Sequence, residues 1–180
     1  GTNVTVNNSG VTNTVLNWGE TMSVATTDAL NFIQTNKPVY VLHVSGNGCE
    51  ASASLMPSMV CSGDSEMAFH RPNTNSLNLI LYTFAGFEDQ FTLNGNVALI
   101  QASDFAVIPG TSGEFVAASV NIPIGDLPTD SWFKVVNSTA SFGMGVLGED
   151  AGSGSYYGYG WAIFPTPRNT ELIAHNGGNG

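Results

Sequence analysis

The chain carries almost no helical pattern, and that absence constrains its fold more than any other feature. Lys, Glu, Arg and Gln are scarce, while Gly and β-branched residues recur every few positions. Only residues 27–33 could make a turn or two of helix, with Asp28 as the cap. Elsewhere, short apolar runs alternate with turn residues. The runs cover residues 4–6, 11–18, 39–44, 67–71, 77–84, 91–93, 97–100, 105–108, 115–120, 132–136, 142–147 and 156–164. Between them lie Ser45-Gly46-Asn47-Gly48, Ser62-Gly63-Asp64, Pro109-Gly110-Thr111 and Gly152-Ser153-Gly154. This pattern predicts an all-β fold, an antiparallel β-sandwich or a closed barrel, with at most one short helix.

Two local readings sharpen that expectation. Asn94-Gly95 supplies both positive-φ residues of a type I′ turn, so residues 91–93 and 97–100 are expected to form a hairpin. Residues 39–44 (VYVLHV) are apolar in both phases, which predicts a strand covered on both faces. At 180 residues, without an internal repeat, the chain reads as a single sandwich module. Residues 1–18 are expected to supply N-terminal edge strands. Residues 176–180 (NGGNG) are expected to form a flexible tail or the start of a connector, in a module cut from a longer chain with neighbouring modules.

Charge excludes some partners. Four Lys and Arg stand against 14 Asp and Glu, a formal net charge of −10. Such a chain cannot neutralise a row of phosphates, so nucleic acid is a poor partner. No apolar run approaches the roughly 18 residues needed for a spanning helix, and residues 77–87 are broken by Asn78, Thr83 and Gly86. The first ten residues have neither a basic nor an apolar leader segment, so for an exported protein either the signal has been removed or the chain is a fragment. Polarity drawn from Asn, Ser, Thr and Gly resembles that of bacterial surface and secreted β-proteins.

Cys49 and Cys61 are expected to form a disulfide, consistent with an oxidising compartment; the alternative is two buried thiols. Neither belongs to a CxxC pair or a His/Cys cluster, which argues against zinc.

Few residue patterns in the chain point to turnover. His43 reads as a strand residue at the core, His70 as a strand-end surface residue, and His175 lies in the tail. There is no HExxH and no G-x-S-x-G. Lys37 and Lys134 are the only lysines available for an isopeptide crosslink. The acidic groups Glu88-Asp89, Asp126 with Asp130, and Glu149-Asp150 sit in turn-rich stretches. Neighbours on a strand point to opposite faces, so neither adjacent pair is a ready catalytic dyad. They read as solvated turn carboxylates, with Ca²⁺ at Asp126, Asp130, Glu149 and Asp150 as the alternative and no other cofactor expected. Tyr157, Tyr159 and Trp161 share one strand phase, separated by glycines, and are either core packing or an aromatic platform for a ligand.

The order of several blocks resembles the N-terminal domain family of the IgG-Fc-binding protein of mucus, which also occurs in bacterial surface proteins. The blocks are Asn36-Lys37-Pro38-Val39-Tyr40-Val41 with His43-Val44-Ser45-Gly46, then Gly48-Cys49-Glu50, Leu55-Met56-Pro57 and Cys61. Phe91-Thr92-Leu93-Asn94-Gly95 and Phe105 with Ile108-Pro109-Gly110-Thr111 follow. The last are Val136-Asn137-Ser138, Phe142-Gly143-Met144-Gly145-Val146 and Tyr157-Gly158-Tyr159 before Phe164. The resemblance implies a non-catalytic extracellular domain. Together with the composition, the expected disulfide and the lack of a catalytic set, it leads to an adhesion or recognition module that binds a glycan or a cell-surface or host protein. Two other readings stay open. One is a stalk or filament subunit that donates residues 3–15 to a neighbour's sheet. The other is a polysaccharide-acting enzyme that uses loop carboxylates.

Overall fold

The computed structural model describes residues 1–159 apart from 7–10, 26–27, 48–49, 57, 60–61, 72, 75, 124 and 151–152; within the strands, the side chains of 11–13, 45–47, 50, 149–150 and 153–159 are also left undescribed. Thirteen strands are described. β1 (Thr2–Val6) lies between β2 (Val11–Leu16) and β3 (Ile33–Thr35), antiparallel to both. β4 (Val41–Asn47) and β5 (Glu50–Met56) form a hairpin of their own.

The remaining strands make the sandwich. β6 (Glu66–Arg71), β11 (Ser131–Asn137) and β8 (Phe91–Leu93) form a three-stranded sheet in the order β6-β11-β8. β13 (Ser153–Tyr159), β12 (Phe142–Asp150), β7 (Ser76–Phe84), β10 (Phe115–Ile122) and β9 (Ala106–Val107) form a five-stranded sheet in that order.

Alternation builds the core between these sheets. Met67 and Phe69 on β6, and Phe133 and Val135 on β11, point inward from the smaller sheet. Leu77, Leu79 and Leu81 on β7, with Phe142, Met144 and Val146 on β12, meet them from the larger one. Each such side chain contributes roughly 1.5–3 kcal/mol by leaving water. Aromatic contacts add shape: Phe69 lies 5.6 Å from Phe133 between ring centres, and Phe91 packs edge-on against Phe142 at 5.1 Å.

The larger sheet is covered on its other face too. Tyr82, Ile108, Phe115 and Ala117 form a second, smaller core, with Leu30, Phe32, Met56 and Met59 packed against it. Gly143 stands opposite Tyr82 in the register, and the tyrosine ring lies across it. A Cβ at Gly143 would fall 1.9 Å from Tyr82 Cζ, so the ring occupies the space that a side chain would need.

Buried polar groups hold the turns. Asn137 is fully buried; its Nδ2 donates to Phe87 O, and its Oδ1 accepts from the N–H groups of Thr139 and Ala140. The buried Arg71 guanidinium donates to the carbonyls of Leu127 and Asn73. Both side chains replace lost water with backbone partners.

Three expectations need correction. Residues 28–33 are not helical: Asn31 Nδ2 donates to Asp28 O to close a turn, Leu30 and Phe32 pack on the second core, and the chain extends from Ile33 to pair with β1. Tertiary contact outweighs a weak propensity here. Asn94 and Gly95 do adopt positive φ (49° and 79°), but the returning arm bridges only at Asn96. Asn94 is tied to β11, its N–H donating to Lys134 O and its Oδ1 accepting from Lys134 N, so β8 pairs with β11 instead. The third correction concerns β4, whose apolar phases are not both covered.

Candidate functional site

On the β4–β5 hairpin, strict pairing separates two faces. Leu42 stands opposite Leu55, and Val44 opposite Ala53, with Tyr40 in phase just before β4. The intervening phase holds Val41, His43, Ser54 and Met56, which are half-buried or buried; Met56 packs on the second core. The first phase faces solvent: Tyr40 is 75% exposed, Val44 59%, Leu42 58% and Leu55 41%. None of Tyr40, Leu42, Val44, Ala53 and Leu55 carries a charge. A contiguous apolar strip left in water costs solvation, which a docked partner recovers. Burial of His43 on the inner phase lowers its pKa below the ordinary 6.5, because the imidazolium is poorly solvated there.

A different surface occupies the outer face of the three-stranded sheet. Trp132 on β11 pairs with His70 on β6, and their ring centres lie 5.1 Å apart at 52°. Trp132 is 72% exposed. His70 Nε2 lies 3.3 Å from Asp130 Oδ1, and that carboxylate stands in solvent. Further along the same face, Lys134 Nζ donates to Glu66 Oε2 at 3.1 Å.

Most of the residues singled out in the sequence lie elsewhere or outside the description. Tyr157 and Tyr159 are on β13, opposite Val146 and Met144 in the register, in the five-stranded sheet; β5 runs beside this strand. Trp161, Cys49, Cys61 and His175 fall outside the described residues. Glu149 pairs with Ser76, and Ile122 with Leu77, so the backbone brings Glu149-Asp150 to the end of the sheet where the 123–130 loop begins. Asp126 and Asp130 belong to that loop, and Asp130 faces His70. Among the described residues, no group of three or more His, Cys, Asp or Glu side chains could hold a metal ion. Glu88 accepts from the Gly86 N–H at 2.6 Å and Asp89 from Gln90 Nε2 at 2.9 Å, so both carboxylates organise their own turn.

The sequence did carry a signal for the residues missed. In β11, Trp132 is in phase with Lys134, while Phe133 and Val135 take the inward phase; a tryptophan in the lysine phase belongs at the surface. Tyr40, Leu42 and Val44 share a phase distinct from that of Val41 and His43, but composition alone does not say which phase is covered.

Three of the blocks that carry the family resemblance have an architectural role. Val136-Asn137-Ser138 contains the buried asparagine, Phe142-Gly143-Met144 the tyrosine contact, and Thr111 Oγ1 donates to Ile108 O at 2.8 Å within its turn. The sequence profile of the family described as "IgGFc binding protein" matches residues 1–148. That span includes β1 and β2 and stops before Tyr157-Gly158-Tyr159. Neither the curated proteins nor the solved structures contain a match.

Proposed function

The chain belongs to the IgGFc-binding family, and from that premise we propose that it is a non-catalytic recognition module of a secreted or cell-surface protein, docking a protein partner through the β4–β5 hairpin. One observation carries this reading: the uncharged strip of Tyr40, Leu42, Val44 and Leu55, exposed on one face of the paired strands β4 and β5. Aromatic and aliphatic side chains presented by a paired ribbon are suited to supply the central anchors of an interface. The family description makes the Fc region of immunoglobulin G the first partner to test. The Cys49–Cys61 disulfide belongs to the same reading, as a crosslink formed in an oxidising compartment.

The stalk reading is less favoured, because β1 already pairs on both sides within its own chain. Donating residues 3–15 would break the β1–β3 ladder, and drawing them out as a single strand would break the β1–β2 ladder as well.

The test passes wild-type protein and a Leu42→Ser/Val44→Ser/Leu55→Ser variant over immobilised IgG Fc and over cultured epithelial cells. We expect retention of the wild type on at least one surface, with the variant at least about tenfold weaker, as for loss of interface anchors. Equal retention of both proteins would reject the hairpin as the docking face. No retention of the wild type on either surface would reject recognition in favour of a spacer.

A further inference from the structure

We propose that Trp132, His70 and Asp130 form a contact site for a neutral saccharide, separate from the hairpin. This goes beyond the protein-docking reading and does not depend on it. Three observations support the site.

The first is the presentation of the tryptophan. Phe133 and Val135, in the opposite phase, anchor β11 in the main core, while Trp132 stands on the outer face. An indole held this way offers a flat apolar surface to the C–H face of a pyranose ring.

The second is the pairing of that ring with hydrogen-bonding groups. The imidazole of His70 adjoins the indole at 5.1 Å between ring centres, and its Nε2 lies 3.3 Å from the Asp130 carboxylate. Sugar hydroxyls both donate and accept, so a carboxylate and an imidazole beside an aromatic face match them in chemistry. With a net charge of −10 on the chain and Asp130 at the site, an anionic sugar would be repelled. Neutral hexoses and N-acetylhexosamines are therefore the favoured class.

The third is the bracing of the loop behind Asp130. Its φ is 55°, a conformation uncommon for a residue with a side chain. Its N–H donates to Arg71 O at 2.7 Å, which ties it to the strand that carries His70. From beneath, the buried Arg71 guanidinium holds Leu127 O of the same loop. The backbone that carries the carboxylate is thus held beside the aromatic pair before any ligand arrives, which reduces the ordering cost of binding.

The experiment uses a glycan array bearing galactose-, mannose- and N-acetylglucosamine-terminated glycans, with sialylated and sulfated glycans as the acidic arm. Wild type is compared with Trp132→Ala, Asp130→Asn and the hairpin triple variant, each first shown by circular dichroism to be folded. Asn tolerates positive φ, so Asp130→Asn removes the charge and keeps the turn. Binding of neutral glycans should fall at least about tenfold in Trp132→Ala and severalfold in Asp130→Asn, and should be unchanged in the hairpin variant. The proposal is overturned by any of three results: no neutral glycan bound by wild type, Trp132→Ala binding as wild type does, or a preference for the acidic arm. Loss in the hairpin variant with Trp132→Ala intact would move sugar binding to the hairpin and equally overturn it.

Discussion

The main core and the β4–β5 hairpin draw on the same residue types and put them to opposite uses. In the sandwich, Phe69, Leu79, Leu81 and Val135 are sealed between two sheets. On the hairpin, Leu42 and Leu55 face each other across a strand pair, but among the described residues no second sheet closes over them. A strand pair creates a face; only a second layer turns that face into a core. Apolar residues without that layer add little to folding and remain available for docking.

The strongest way to break this contrast is to truncate a side chain in each region. Phe69→Ala removes a fully buried ring beside Phe133 and should destabilise the protein by about 3–5 kcal/mol in urea unfolding. Leu42→Ser, on the open face, should change stability by no more than about 0.5 kcal/mol. Comparable losses at both sites would erase the distinction.

Reduction of the proposed Cys49–Cys61 bridge should cost about 3 kcal/mol by the loop-entropy argument, read as a lower melting temperature in reductant. Thiol counting in denaturant should find no free thiol before reduction and two after it. Two free thiols at the outset would remove the bridge and its support for export.

Gly143→Ala sharpens the contrast from the other side, because it adds volume where the sheet is already filled. The new methyl meets the Tyr82 ring, and we expect a loss of about 1–3 kcal/mol. Combining it with Tyr82→Ala should give less than the sum of the two single losses, since one contact is shared. Simple additivity would show that the ring does not lie over the glycine.

The smallest effect concerns His43. Its folded-state pKa lies below 6.5, so the unfolded chain takes up the proton first as pH falls. The hairpin's contribution to stability is therefore complete above about pH 6.5 and declines on acidification below it. Thermal melts between pH 7.5 and 5 should decline less steeply in His43→Asn than in wild type; parallel curves would assign that pH dependence to other groups.

The architecture was legible because alternation states it directly: β6, β7, β10 and β11 follow from the phases of their apolar residues. β5 was not legible. Its Ala51-Ser52-Ala53-Ser54 stretch has no branched or aromatic residue and becomes a strand through pairing with β4. Residues 97–100 failed in the opposite sense, because Asn94 binds Lys134 and draws the chain away from the expected hairpin. The site was less legible still. VYVLHV reads as doubly buried, since periodicity reports which residues share a face and is silent on whether another layer covers it. Trp132 shares its phase with Lys134, a weaker signal in the sequence than the dense aromatic run at Tyr157.

Hydroxyl-radical footprinting of the native protein, resolved to single residues, tests the central claim most directly. Tyr40, Leu42, Val44 and Leu55 should be labelled at rates near those of the unfolded chain, while Phe69, Leu79, Leu81 and Val135 stay silent; the retaining partner should suppress labelling of the first group alone. Hairpin residues as protected as the core in the isolated protein would contradict the account.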